Sequence, residues 1–403
     1  MVSLLITYLE GVTEQPQFGA KPHDMSGSKR QMLKPYPEET LSLGKRHKIL
    51  LVTHQFSRTG APRAVLFLAK ALFRLHGVRP VIISPSDGPM RDEFEREGFP
   101  TVVDPQLFSY QSYSCGACDF VMGFESVIVT SLSSYAFIRY FRGIAKHLSW
   151  WIHETESGFS SFGAITSDLA LLFAACESIW LGSPLCVPYA SQYASRDKLR
   201  LLLYGCDDTA TPHRPLKNGK LVFSVIGSVE PRKGQDVLLN ALGCLPDELR
   251  RKAVFRIIGS PLGFAESQAF YKKIQATAGR YPEVELIPDV PPDRLQALYS
   301  ETDVVVSPSR DDPMPIVVTQ GLMFSAVCLC SSAIGHAQLL KDGESGLIFT
   351  TGSAEMLAEK MTWAILNPDA LHSIGEAGRG IYEKFFEMDG FLENIKSAQV
   401  SIS

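Results

Sequence analysis

Arg232 and Lys233 stand side by side before Gly234 in IGSVEPRKGQDVLLNAL, directly ahead of an amphipathic run whose spacing predicts a helix. Two cations at a helix N-terminus face the positive pole of the macrodipole, at a cost of about 0.3–1 kcal/mol. A bound anion removes that conflict; extension of both side chains into solvent is the alternative. The loop Ser57-Arg58-Thr59-Gly60-Ala61-Pro62-Arg63 also leads from a strand into a helix. Gly60 and Ala61 leave room there for a phosphate to approach backbone N–H groups, although a plain structural turn has the same composition. His153 closes the strand-like run LSWWIHE, and His54 lies on the first loop as a lesser candidate for an acceptor.

The elements that must position these residues read as two α/β units. At His47 a Gln-, Pro-, Lys- and Glu-rich texture gives way to KILLVTH, a short buried-strand run, then a loop, then the amphipathic AVLFLAKALFRLHG. The alternation continues through PVIISP, SVIVTS, LSWWIHE and SIWLGSP; after the polar linker DDTATPHRPLKNGK a second cycle runs KLVFSVIGSV, FRIIGS, VELIP, DVVVSPS, AVCLCS and GLIFT. Strands without in-and-out alternation, separated by helices, predict doubly wound parallel sheets covered on both faces. The expected layout is an extension over 1–46, a first Rossmann-like domain over 47–213, a second over 214–385, and a segment over 386–403 crossing back onto the first. Two such sheets facing each other hold a ligand between the carboxyl ends of their strands.

With 403 residues, 20% of them charged, and a net charge of −4, the chain is an ordinary globular protein with no electrostatic case for nucleic acid. The start MVSLLITYLEGVTEQ lacks a basic leader and reads poorly as a signal peptide, and no run reaches a membrane span. The eight scattered cysteines fit a reducing cytoplasm. Cys115 and Cys118 have metal-ligand spacing without a second pair, so no metal is assigned. Trp150 and Trp151 read as core beside a strand end.

EPRKGQDVLL resembles the donor-phosphate motif of retaining family 4 glycosyltransferases, which adopt the GT-B fold of two Rossmann-like domains. A second motif matches the same family: Ser307-Pro308-Ser309 leads to Asp312 and Gln320, eight residues apart, at the two positions where the family carries acids. The version DPMPIVVT resembles a bacterial surface-polysaccharide branch, and the likeness runs in order from about 47 to 385 through LLLYGCDD and GHAQLLKDGESGLIF. It implies a nucleotide-diphosphate sugar as donor substrate, no cofactor, and a glycan or lipid-linked saccharide as acceptor. The activity implied is metal-independent hexosyl or deoxyhexosyl transfer in lipopolysaccharide or related synthesis, in the cytoplasm or peripherally at the inner membrane face.

Carried onto this chain, the resemblance makes Lys233 and Arg232 the cations for charge on the leaving diphosphate. Asp312 on the loop then faces the transferred sugar, Gln320 two turns into the following helix faces the ribose, and the N–H groups of Ile316 and Val317 behind Pro315 point at the diphosphate. His153 contacts the donor's sugar or phosphate. Ser228 stands where the family usually has Arg, Asp312 is one methylene shorter than Glu, and Gln320 gives up a charge but keeps hydrogen-bonding capacity. Those departures frame the alternative, a catalytically weak or inactive nucleotide-sugar-binding protein. An exported solute-binding protein and a nucleotide-sugar epimerase are the remaining readings of the architecture.

Overall fold

The computed structural model describes residues 37–106, 108, 115–165, 167–216, 219–288 and 290–397. The extension expected over 1–46 lies outside them up to residue 36. Its last part is folded, as two short helices, Glu38–Leu41 and Leu43–His47, with Leu41 and Leu43 packed against the first domain. Helix is therefore already present about ten residues before the change of texture at His47.

The first domain carries strands β1 (Ile49–Val52), β2 (Val81–Ser84), β3 (Thr101–Val103), β4 (Ser126–Thr130), β5 (His147–Ile152), β6 (Ser178–Leu181) and β7 (Leu199–Leu201). They form one parallel sheet in the order β3-β2-β1-β4-β5-β6-β7. The second domain carries β8 (Leu221–Ile226), β9 (Ala253–Ile258), β10 (Val284–Ile287), β11 (Val304–Ser307), β12 (Val327–Ser331) and β13 (Leu347–Phe349), parallel in the order β10-β9-β8-β11-β12-β13. Every residue of β1, β4 and β11 is buried, which is why these strands read as mainly apolar runs without in-and-out alternation. Both sheets are Rossmann-like.

Helix α1 (Gly60–His76) buries Val65, Leu68, Ala69 and Leu72 on the first sheet. In the second domain, α2 (Gln235–Cys244) follows β8 and α3 (Ile316–Met323) follows β11. The last described elements are α4 (Pro368–Phe385), which packs on α3, and α5 (Met388–Ser397), which packs on α1 of the first domain. Phe391 of α5 stacks on Trp151 with ring centroids 6.3 Å apart. Trp150 and Trp151 are fully buried, and their indole N–H groups donate to the carbonyls of Ser131 and Leu202.

The two lobes share apolar core. Leu68, Trp151, Tyr204, Val305, Tyr382 and Phe391 belong to one continuous cluster spanning both domains. Polar ties reinforce it: Tyr382 Oη donates to the Cys206 carbonyl, and Arg379 of α4 pairs with Asp208. Among the described residues, no helix is long and apolar enough to cross a membrane.

Candidate functional site

In each sheet the strand order turns back beside its first strand, between β1 and β4 and between β8 and β11. A crevice opens at such a switch point because the loops on either side leave in opposite directions. Ser228, Arg232 and Lys233 lie on the loop after β8, and Asp312 and Pro315 on the loop after β11. His54 follows β1, and His153 follows β5.

The loop after β8 is shaped by two glycines. Gly227 has φ +135° with open space at its Cβ position, so a ligand has direct access to the backbone there. A tight turn, Pro231–Lys233, ends at Gly234 with φ +72°, and a Cβ on Gly234 would sit 2.1 Å from the Pro308 carbonyl oxygen. Only glycine allows both the left-handed backbone and this approach of the two loops. Gly234→Ala is expected to destabilise the folded protein by about 2 kcal/mol or more, since the left-handed backbone alone costs roughly 1–2 kcal/mol. A urea unfolding midpoint unchanged from wild type would show that the loops move apart freely.

Lys233 Nζ donates to Asp312 Oδ2 at 2.5 Å, and Arg232 Nη1 lies 3.4 Å from the same oxygen. Arg232 also donates to the Asp311 carbonyl at 2.9 Å and to Glu230 at 3.1 Å, while the Ser228 hydroxyl donates to Glu230 at 2.9 Å. The dipole conflict seen in the sequence is thus resolved within the chain, by Asp312. Burial pushes the Asp312 carboxyl up, but the attraction of Lys233 and Arg232 outweighs it and holds the group below the usual carboxylate range. Arg310 adds a bidentate pair to Asp236 at 2.9 Å, fastening the loop after β11 to the first turn of α2.

Pro315 caps α3, with its ring fixing the backbone just ahead of Ile316 and Val317. Their N–H groups belong to the first turn, which has no intrahelical acceptor. Gln320 is part-buried in the second turn. On the inner face of α3, Thr319 Oγ1 contacts Tyr204 Oη at 2.7 Å and His336 Nε2 at 2.8 Å, a buried chain from the segment after β7 to the turn Gly335–Gln338 after β12. His336 is fully buried with Nδ1 unpartnered, and desolvation lowers its pKa to about 3.

On the first-domain side, the buried Nδ1 of His54 and Nε2 of His153 have no hydrogen-bond partner. Burial lowers their pKa values to about 4 and about 3, with mutual repulsion adding to the shift at His153. Both rings are therefore neutral near pH 7, and each keeps one buried ring nitrogen unpaired. Glu154, next to His153, accepts from the N–H groups of His153 and Leu132 at 2.9 Å and from the Ser131 hydroxyl, locking the strand end. Gly60 is exposed at the head of α1 and an added Cβ would meet nothing within 4 Å. Part-buried Ala61 follows it, and the loop is held by Arg58 and Arg63 on Glu93 at 2.9 and 2.6 Å.

Arg232, Lys233 and Asp312 are brought into direct contact, and Ser228 joins them through Glu230. Gly60 and Ala61 stay with their own loop. Glu154, Asp311 and His336 were not singled out by the sequence reading. Glu154 had a signal, as the acid beside a strand-end histidine; Asp311 and His336 acquire partners only from distant segments.

Residues 208–380, which take in the second domain, match the family model for glycosyl transferases group 1. Among curated proteins, the chain is 25% identical over 189 residues to a D-inositol 3-phosphate glycosyltransferase of Rhodococcus jostii, covering 45% of this chain and 41% of that protein. An uncharacterized glycosyltransferase of Methanocaldococcus jannaschii is 24% identical over 162 residues, covering 40% and 42%. The chain spans less than half the length of the curated relatives it matches. Among solved structures, HepE of Anabaena, in complex with UDP and glucose, superposes with TM-score 0.75 at 16% identity over 88% of this chain and 100% of that one. The lipopolysaccharide outer core galactosyltransferase WaaB, without ligand, gives 0.64 at 12% identity over 87% and 98%. The architecture is the GT-B fold.

Proposed function

We propose that this chain is a retaining glycosyltransferase that moves a hexosyl or deoxyhexosyl group from a nucleotide-diphosphate sugar to a glycan or lipid-linked acceptor. The observation that carries the reading is the Lys233–Asp312–Arg232 cluster at the β8/β11 switch point, within a domain matching glycosyl transferases group 1. The diphosphate takes the place of Asp312 as partner of the two cations, and Ile316 and Val317 N–H groups complete its cradle. Asp312, released, accepts a hydroxyl of the transferred sugar, while His153 offers its neutral ring to another. Gln320 bonds the ribose.

In the transfer step the acceptor oxygen bonds the anomeric carbon as the bond from that carbon to the diphosphate oxygen breaks. The acceptor proton passes to the departing diphosphate on the same face, so no protein nucleophile is needed. Lys233 and Arg232 meet the charge that builds on the leaving oxygen. The reading includes metal-independent chemistry, action in the cytoplasm or at the inner membrane face, and surface-polysaccharide synthesis as the setting.

A thermal-shift panel of UDP, GDP and dTDP sugars tests the donor site. A donor at 100 times its Kd is expected to stabilise the protein by about 2.7 kcal/mol. No shift from any of them, or transfer that strictly needs a divalent ion, would sink the proposal. Because Ser228 stands among the site's cations and Gln320 is uncharged, a second reading is donor binding without turnover. Donor binding with neither transfer nor slow donor hydrolysis selects it.

A further inference from the structure

Asp311 and Asp312 are adjacent acids that face opposite lobes. Asp312 pairs with Lys233 and Arg232 of its own domain, whereas the two carboxylate oxygens of Asp311 accept from the hydroxyls of Thr155 and Ser157 in the other domain. Thr155 is 5% exposed and lies two residues beyond His153; its carbonyl accepts the Phe159 N–H in the helix Glu156–Ile165. The Asp311 carbonyl in turn accepts from Arg232 at 2.9 Å. A short chain of bonds thus joins the His153 strand end to the cation turn through one residue. A second contact flanks it: a Cβ on Gly335 would lie 2.5 Å from Ser183 Oγ, so the lobes touch there without room for a side chain.

We propose that Asp311 is a positioning residue that registers the His153 strand end against the Arg232–Lys233 turn and clasps the two lobes closed. Two hydroxyls on one carboxylate fix orientation as well as distance, because each oxygen is assigned its own donor. Arg232 is tied to the Asp311 backbone and to the neighbouring Asp312 carboxylate, so exchange of Asp312 for a diphosphate leaves the clasp intact while the cations turn to the ligand. This deepens the glycosyltransferase reading and rests on it for the catalytic consequence, but the clasp itself is measurable without any donor.

Small-angle scattering of the full chain, free of ligand, tests the clasp. Asp311→Ala and the pair Thr155→Val/Ser157→Ala are each expected to raise the radius of gyration, and their combination to raise it no further, since all three remove one interaction. Thr155→Ser, which keeps the hydroxyl, is expected to match wild type. Asp311→Asn, which keeps one acceptor oxygen, falls between and serves if Asp311→Ala does not fold. A radius of gyration unchanged in a folded Asp311 variant overturns the clasp. With a donor identified by the thermal-shift panel, Asp311→Ala is expected to lower kcat by about 10–100-fold with donor KM within about threefold, because misregistration of reacting groups acts on turnover. A KM rise with kcat retained overturns the registration role. Failure of the donor panel leaves the scattering result standing, so the two ideas fail separately.

Discussion

Lys233→Ala is expected to abolish the donor-induced thermal shift and to lower transfer by about 10²–10³-fold, the usual loss when one donor to developing negative charge is removed. Lys233 makes the 2.5 Å contact with Asp312 and is the less exposed of the two cations, with side-chain exposures of 17% against 42% for Arg232. Charge–charge attraction is stronger in its drier position. Arg232→Ala is expected to cost less, because part of its field is screened by water and Glu230 already shares it. The comparison is informative because both substitutions remove one positive charge from the same acid. A full donor shift retained in Lys233→Ala would remove Lys233 from the site, and equal losses in the two variants would contradict the ranking. Lys233→Ala also leaves Asp312 with Arg232 as its remaining cation at 3.4 Å, so a lower melting temperature without ligand accompanies the loss of binding.

Stability is expected to fall steeply as pH drops below about 6.5, the ordinary histidine pKa. His336 keeps its neutral form down to about pH 3 in the folded protein because its ring is buried. The unfolded chain takes up a proton near pH 6.5 that the folded chain refuses, so the contribution is complete above that pH. It is lost as pH falls from 6.5 toward the folded value. For His336 the slope is about 1.4 kcal/mol per pH unit. His54 and His153, whose pKa values are also lowered, act in the same direction, with part of their effect screened by solvent. Asp312, held below the carboxylate range, adds stability that is present above about pH 4 and lost below it, outside this window. Urea unfolding at intervals between pH 7 and 4.5 should show the decline, and His336→Gln should flatten it by about 1.4 kcal/mol per pH unit. An identical slope in wild type and His336→Gln would mean that the ring is protonated in the folded state.

The doubly wound sheets were legible in the chain because a parallel strand covered on both faces must be apolar throughout, as in ILLV of β1 and VVVS of β11. Local chemistry was legible too. Pro315 ahead of Ile316 predicts a helix start, and Arg232-Lys233-Gly234 before an amphipathic run predicts cations beside a helix N-terminus. What neutralises those cations was not legible, since Asp312 lies 79 residues away and a carboxylate's partner depends on how two loops meet. The same holds for His336, whose neutrality comes from burial against Thr319 and Phe386, and for Asp311, whose hydroxyl donors come from the other lobe. Sequence periodicity determined which residues enter strands and helices, because burial on a sheet is a repeating, nearest-neighbour requirement. Which charges meet, and which ionise, was decided only by the tertiary structure, because Coulomb attraction and desolvation depend on distances in space and on the water excluded there.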